Sequence, residues 1–126
     1  MDNDVNYMIG EILEGENNSP QDGNHYIVFF EELDGRDFVG AMISTKKYHN
    51  RNLPMSPSHF ETHNSEQTQW AVSYRGSYLV PAKLHKFNEM GPFHKVGQLT
   101  RDGIEFLLNE IGDKPLYPWE LYVANL

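Results

Sequence analysis

The run His25-Tyr26-Ile27-Val28-Phe29-Phe30-Glu31-Glu32-Leu33-Asp34-Gly35-Arg36-Asp37-Phe38-Val39-Gly40-Ala41-Met42-Ile43-Ser44 decides the fold class. β-Branched and aromatic side chains fill residues 25–31, which predicts a strand. Asp34-Gly35 is a strong hairpin signal, since both residue types tolerate the backbone of a tight turn. Residues 37–44 then make the returning strand.

On the N-terminal side, residues 7–14 read as a first short strand with a bulge at Gly10. Residues 15–24 are rich in Gly, Asn, Asp and Ser and read as loop. On the C-terminal side, Thr45 to Pro57 is polar, basic and broken by proline, which predicts a long loop or sheet edge. His59 to Thr62 reads as a short strand and Asn64 to Gln69 as loop. Trp70 to Tyr74 and Ser77 to Pro81 read as a second hairpin across Arg75-Gly76. Pro81 belongs at a strand end or edge, because it has no N–H for the ladder.

One helix stands out, over residues 101–111. Thr100 is its N-cap, and Asp102 and Glu105 lie near the positive end of the helix dipole. Ile104, Leu107, Leu108 and Ile111 follow the i, i+3, i+4, i+7 spacing of a core-facing stripe. Gly112 and Pro115 end it. The tail Tyr117–Val123 is too apolar to be loose and is expected to dock on the fold or on a second subunit. Short strands plus one late helix predict a mainly β protein: a small barrel, closed so that no sheet edge is left open.

The 126 residues match one domain, 1–126, with 39% apolar and 22% charged residues, the balance of a folded chain. Absence of cysteine removes disulfides and thiolate catalysis. The longest apolar run is the five residues Tyr26–Phe30, too short for a membrane helix. The opening Met-Asp-Asn-Asp predicts no secretory leader, and a cytoplasmic location is expected.

The formal charge of −8 is unevenly spread. Residues 1–35 carry −9, residues 36–101 carry +5, and residues 102–126 carry −4. Five of the six histidines fall in the middle block. Either that block builds an electropositive surface for a polyanion, or folding interleaves the blocks and the field averages out.

Chemistry-bearing side chains are densest at Ser44-Thr45-Lys46-Lys47-Tyr48-His49-Asn50-Arg51-Asn52, directly after a strand end. Hydroxyls, ammoniums, an imidazole and a guanidinium suit phosphodiester chemistry. Cations and hydroxyl donors stabilise the extra negative charge of a phosphorane, and acid–base groups move its protons. RNA carries its own nucleophile, the ribose 2′-oxygen, so no metal or cofactor is required. The same composition also describes a solvated basic loop. Tyr48 is a candidate for base stacking. His59 and His63 have the i, i+4 spacing of helical zinc ligands, but no glutamate stands beside them in the metalloprotease pattern and the segment reads as strand and loop. Neither a Gly-rich phosphate loop nor a Gly-x-Ser-x-Gly elbow is present.

Two short matches then bear on function. Ala41-Met42-Ile43-Ser44-Thr45-Lys46-Lys47-Tyr48-His49-Asn50 resembles the strand-to-loop motif of ToxN/AbiQ-type endoribonuclease toxins, with Ile43 where those carry Thr or Ser. Gly76 to Val80, Lys83-Leu84, Lys95 to Thr100 and the helix resemble the order of elements in PemK/MazF toxins, and Gly10-Glu11-Ile12 is similar to their opening. The resemblance implies an SH3-like barrel and metal-independent RNA cleavage, with RNA as substrate and an antitoxin, protein or RNA, as partner. It places Ser44 at the active-site hydroxyl and Lys46 at the catalytic lysine, with Thr45 beside them. Lys47, Tyr48, His49 and Arg51 extend the substrate edge, joined by Arg75 and Lys86. The Gly-x-Arg-Pro of the PemK/MazF pattern reads Gly23-Asn24-His25-Tyr26, so His25 stands in for an acid–base group there. A non-catalytic nucleic-acid- or protein-binding module, and an interaction protein dimerising through Leu116–Val123, are the alternatives.

Overall fold

The computed structural model of the protein describes residues 7–15, 26–45, 51–86 and 92–117. The hairpin predicted from residues 25–44 is present in the middle of an eight-stranded sheet. β1 (Glu11–Gly15), β2 (Tyr26–Glu32) and β3 (Phe38–Ser44) pair antiparallel in chain order. A 3-10 turn over Asp34–Arg36 joins β2 to β3. Then come β4 (Leu53–Pro54), β5 (Tyr78–Leu79), β6 (Lys83–Lys86), β7 (Phe93–Gln98), α1 (Arg101–Ile111) and β8 (Leu116–Tyr117). Among the described residues the protein is mainly β with one α-helix, in the C-terminal half, the class that the sequence predicts. Among the described residues, no helix is long and apolar enough to cross a membrane.

β5 and β6 lie end to end along one edge of β3. Ile43 and Ser44 face Leu79 and Tyr78 at one end; Gly40, Val39 and Phe38 face Leu84, His85 and Lys86 at the other. Pro81 falls in the bend between them, where no ladder bond is demanded of it. The bend frees β5 to pair with β4, and β6 to pair in parallel with β8.

Alternate residues of the central strands feed two cores on opposite faces. Ile12, Val28, Ala41, Ile43 and Leu79 join Leu107 and Ile111 of α1 on the first face. Leu13, Ile27, Phe29, Phe38, Met42, Val80 and Leu84 form the second. β3 is therefore buried on both faces from Phe38 to Ile43. Phe29 and Phe38 stack at 5.3 Å between centroids, with Tyr7 and Phe93 at the ends of the row.

The Tyr7 hydroxyl donates to the Phe93 carbonyl at 2.7 Å. Burial pushes this phenol above its ordinary 10.0, and the Glu11 carboxylate adds to the shift. The unfolded chain then releases this proton at lower pH than the folded one. The associated stabilisation is complete below pH 10.0 and is lost as pH rises through the folded value. Urea unfolding should show Tyr7→Phe costing about 1 kcal/mol near neutrality and a flatter alkaline loss than the parent.

The expected closure into a barrel is corrected. Among the described residues, β4 and β7 end the ladder unpaired with each other. A 3-10 turn at Pro57–His59 leads to a single bridge, Phe60 to Leu99, where a strand was expected at 59–62. The second hairpin does not form either. Val72 donates to Val96 of β7 at 2.9 Å, whereas Tyr78-Leu79 pairs with β3 and β4. Gly97 permits this, since a Cβ there would lie 2.7 Å from the Val72 carbonyl oxygen. The bulge falls opposite Ile12/Leu13, with Val96 as the extra residue, and Gly10 belongs to the preceding turn.

In α1, Thr100 caps as expected, its hydroxyl accepting from the Gly103 amide at 3.2 Å and donating to the Ser58 carbonyl at 2.6 Å. Leu107 and Ile111 are buried, but Leu108 is 45% exposed. Phe106 takes the packing role instead, stacked on His59 at 4.6 Å. The tail docks at its start, through β8 on β6; residues 118–123 lie outside the described residues.

Candidate functional site

Ser44 is the last residue of β3, half-buried, and Thr45 follows at an exposed bend. The ladder holds the Ser44 backbone opposite Tyr78, so the two side chains leave the same face of the sheet. By strand alternation this is the face of Met42 and Phe38, the second core. Pro54 faces Tyr78 from β4, so Ser44, Tyr78 and Pro54 form a row across three strands.

Arg75 precedes β5 at this same end. It is exposed, and its guanidinium donates to the Ala71 carbonyl at 2.6 Å, which steadies it while leaving further donors on the fork. Its backbone N–H donates to the buried Ser77 hydroxyl at 3.1 Å. Ser44, Thr45, Tyr78 and Arg75 thus all lie at or next to this end of the ribbon in the chain and the ladder.

Other predicted site residues lie elsewhere. β3 and β4 both run antiparallel to β5, so Arg51, two residues before β4, is placed toward the other end of this ribbon from Thr45. Lys86 is 3% exposed on β6, opposite Phe38, where a polyanion on the surface cannot reach it. That placement corrects its assignment to the substrate edge. His25, Lys46, Lys47, Tyr48 and His49 lie outside the described residues.

The charge blocks are partly interleaved. Lys95 of the basic block pairs with Glu11 of the acidic one at 2.6 Å and lies over the Trp70 ring at 5.1 Å. Lys83 donates to the Gly112 carbonyl at 2.8 Å, where it complements the C-terminal end of the helix dipole. Each candidate metal histidine has a partner at Nδ1. His59 Nδ1 accepts from the Ser56 amide at 3.1 Å, and His63 Nδ1 is 2.9 Å from the Thr62 hydroxyl.

Two features escaped the sequence. Tyr78 sits in a stretch read correctly as strand, but its neighbour Ser44 depends on a pairing that the hairpin signals did not give. The Asp37–His85 pair, 2.8 Å apart, joins residues 48 positions apart, beyond any local motif. Asp37, just before β3, and Ser44 at its end differ by seven positions, about 23 Å at the usual rise, and lie on opposite faces. The pair therefore cannot serve the Ser44 end. Comparisons of the chain with protein-family models, with curated proteins and with solved structures find no match.

Proposed function

We propose that the protein is an endoribonuclease, the toxin of a toxin–antitoxin pair, acting at the Ser44 end of β3 without a metal. The supporting observation is the placement of the Ser44 and Thr45 hydroxyls at a fixed strand end with the exposed Arg75. In the reaction the ribose 2′-oxygen loses its proton and bonds to phosphorus. The bond from phosphorus to the 5′-oxygen breaks, and that oxygen takes a proton. Ser44 and Thr45 donate hydrogen bonds to the non-bridging oxygens as charge gathers there, and Arg75 draws the backbone in. By the resemblance, Lys46 and His25 supply the further cation and the proton transfers.

The test is incubation of the purified protein with mixed single-stranded RNA in EDTA. Fragments ending in 2′,3′-cyclic phosphate are expected. Intact RNA at micromolar protein overturns the proposal.

A second reading, a binding module without cleavage, is favoured by one observation. Lys83 and Lys95 have partners within the protein, and Lys86 is buried. Salt-sensitive RNA binding with no cleavage selects this reading.

A further inference from the structure

We propose that Tyr78 is a base-stacking platform of the Ser44 site, receiving the nucleotide next to the phosphate that the hydroxyls grip. This inference rests on the RNA reading above and names how the site holds its substrate.

The register carries it. Tyr78 stands between Ser44 and Pro54 on one face, with strands about 4.8 Å apart. Directly across the ladder it meets a small hydroxyl on one side and a compact ring on the other.

The other tyrosines sharpen the contrast. Tyr7 donates a hydrogen bond and tilts against Phe29, Tyr26 packs on the first core, Tyr117 packs on the second, and Tyr74 tilts against Phe60. Tyr78 is partly buried, yet among the described residues it packs in neither core, meets no aromatic ring and has no hydrogen-bond partner for its hydroxyl. Tyrosines that leave water usually satisfy both the ring and the hydroxyl. Among the described residues neither is engaged in this way at Tyr78, beside the hydroxyls that would hold a phosphate.

The chemistry that fits is an unpaired nucleobase. Every base has a π-face, so one ring accepts any of them, and stacking on it is largely independent of salt. Arg75 at the same end supplies the salt-dependent part, attraction to the backbone. A base on Tyr78 fixes the sugar–phosphate beside Ser44 and orients the 2′-oxygen. Tyr78 is thus a positioning residue.

The test uses the full chain with Ser44→Ala, which suppresses cleavage, and short single-stranded RNAs carrying 2-aminopurine at each position in turn. Quenching at one position on binding is expected. Adding Tyr78→Leu should abolish the quenching and weaken binding about tenfold, the scale of one lost base stack. Tyr78→Phe should rescue both, because it keeps the ring. Arg75→Ala should lower the salt dependence of binding without removing the quenching. RNA that binds with no quenching at any position overturns the inference, and this holds even where the leucine variant fails to fold. So does equal quenching in a folded Tyr78→Leu chain. If the Ser44→Ala chain binds no RNA, the endoribonuclease reading fails first.

Discussion

Replacing Gly103 by alanine is expected to lower stability by about 3 kcal/mol, the upper part of the range for overpacking. Helix propensity alone argues the reverse, since alanine is better than glycine by about 1 kcal/mol in a helix interior. Packing reverses the sign. A Cβ at Gly103 would lie 2.3 Å from the His59 carbonyl oxygen and 3.0 Å from Leu99 Cβ. The first of these is backbone, and it cannot swing aside. The same carbonyl accepts from the Thr100 amide at 2.9 Å, and Thr100 in turn caps α1 and binds the Ser58 carbonyl. Moving α1 outward to make room therefore loosens the cap and lifts Leu107 and Ile111 from the first core. For a chain of this size the melting temperature should fall by about 10 °C. An unchanged melting temperature would show that this junction yields easily.

Removing the Ser44 hydroxyl is expected to cost about 10²–10³-fold in kcat, the size of one lost donor to a developing oxyanion. KM should change little, because that hydrogen bond strengthens only as charge accumulates. Ser44→Ala deletes one oxygen at the end of a strand whose preceding residues are already packed on both faces. The fold should therefore survive. Single-turnover cleavage of a fluorogenic RNA measures the effect. Cleavage at the parental rate would move the chemistry away from this strand end, even for an active ribonuclease.

Local signals explain what the sequence showed. The Asp34-Gly35 turn and residues 37–44 required only short-range chemistry, and so did the Thr100 cap with Leu107 and Ile111 behind it. Pairing between distant segments was not legible. Val72 left its supposed hairpin because Gly97, 25 positions away, leaves its carbonyl room beside β7. β6 has only four residues, and Lys86 stands at one of its two buried positions, which breaks the apolar alternation. Leu108 fitted the helical stripe, but the ring of His59 offered Phe106 a better contact. At the site, the hydroxyls of Ser44 and Thr45 were visible as residue types, and their company was not. The burial of Lys86 and the seat of Tyr78 beside Ser44 both follow from the way residues 78–86 lie along β3.

The placement of β3 bears on how the chain is made. Its hairpin with β2 is complete soon after Ser44 leaves the ribosome, yet its other edge waits for residues 78–86, and β1 waits for β7. During translation the nascent chain thus holds an unfinished edge, with Met42 and Ile43 beside it, until most of its length has emerged. Chaperone capture of stalled ribosomes should therefore peak between the synthesis of these two segments and fade once β7 can add its strand.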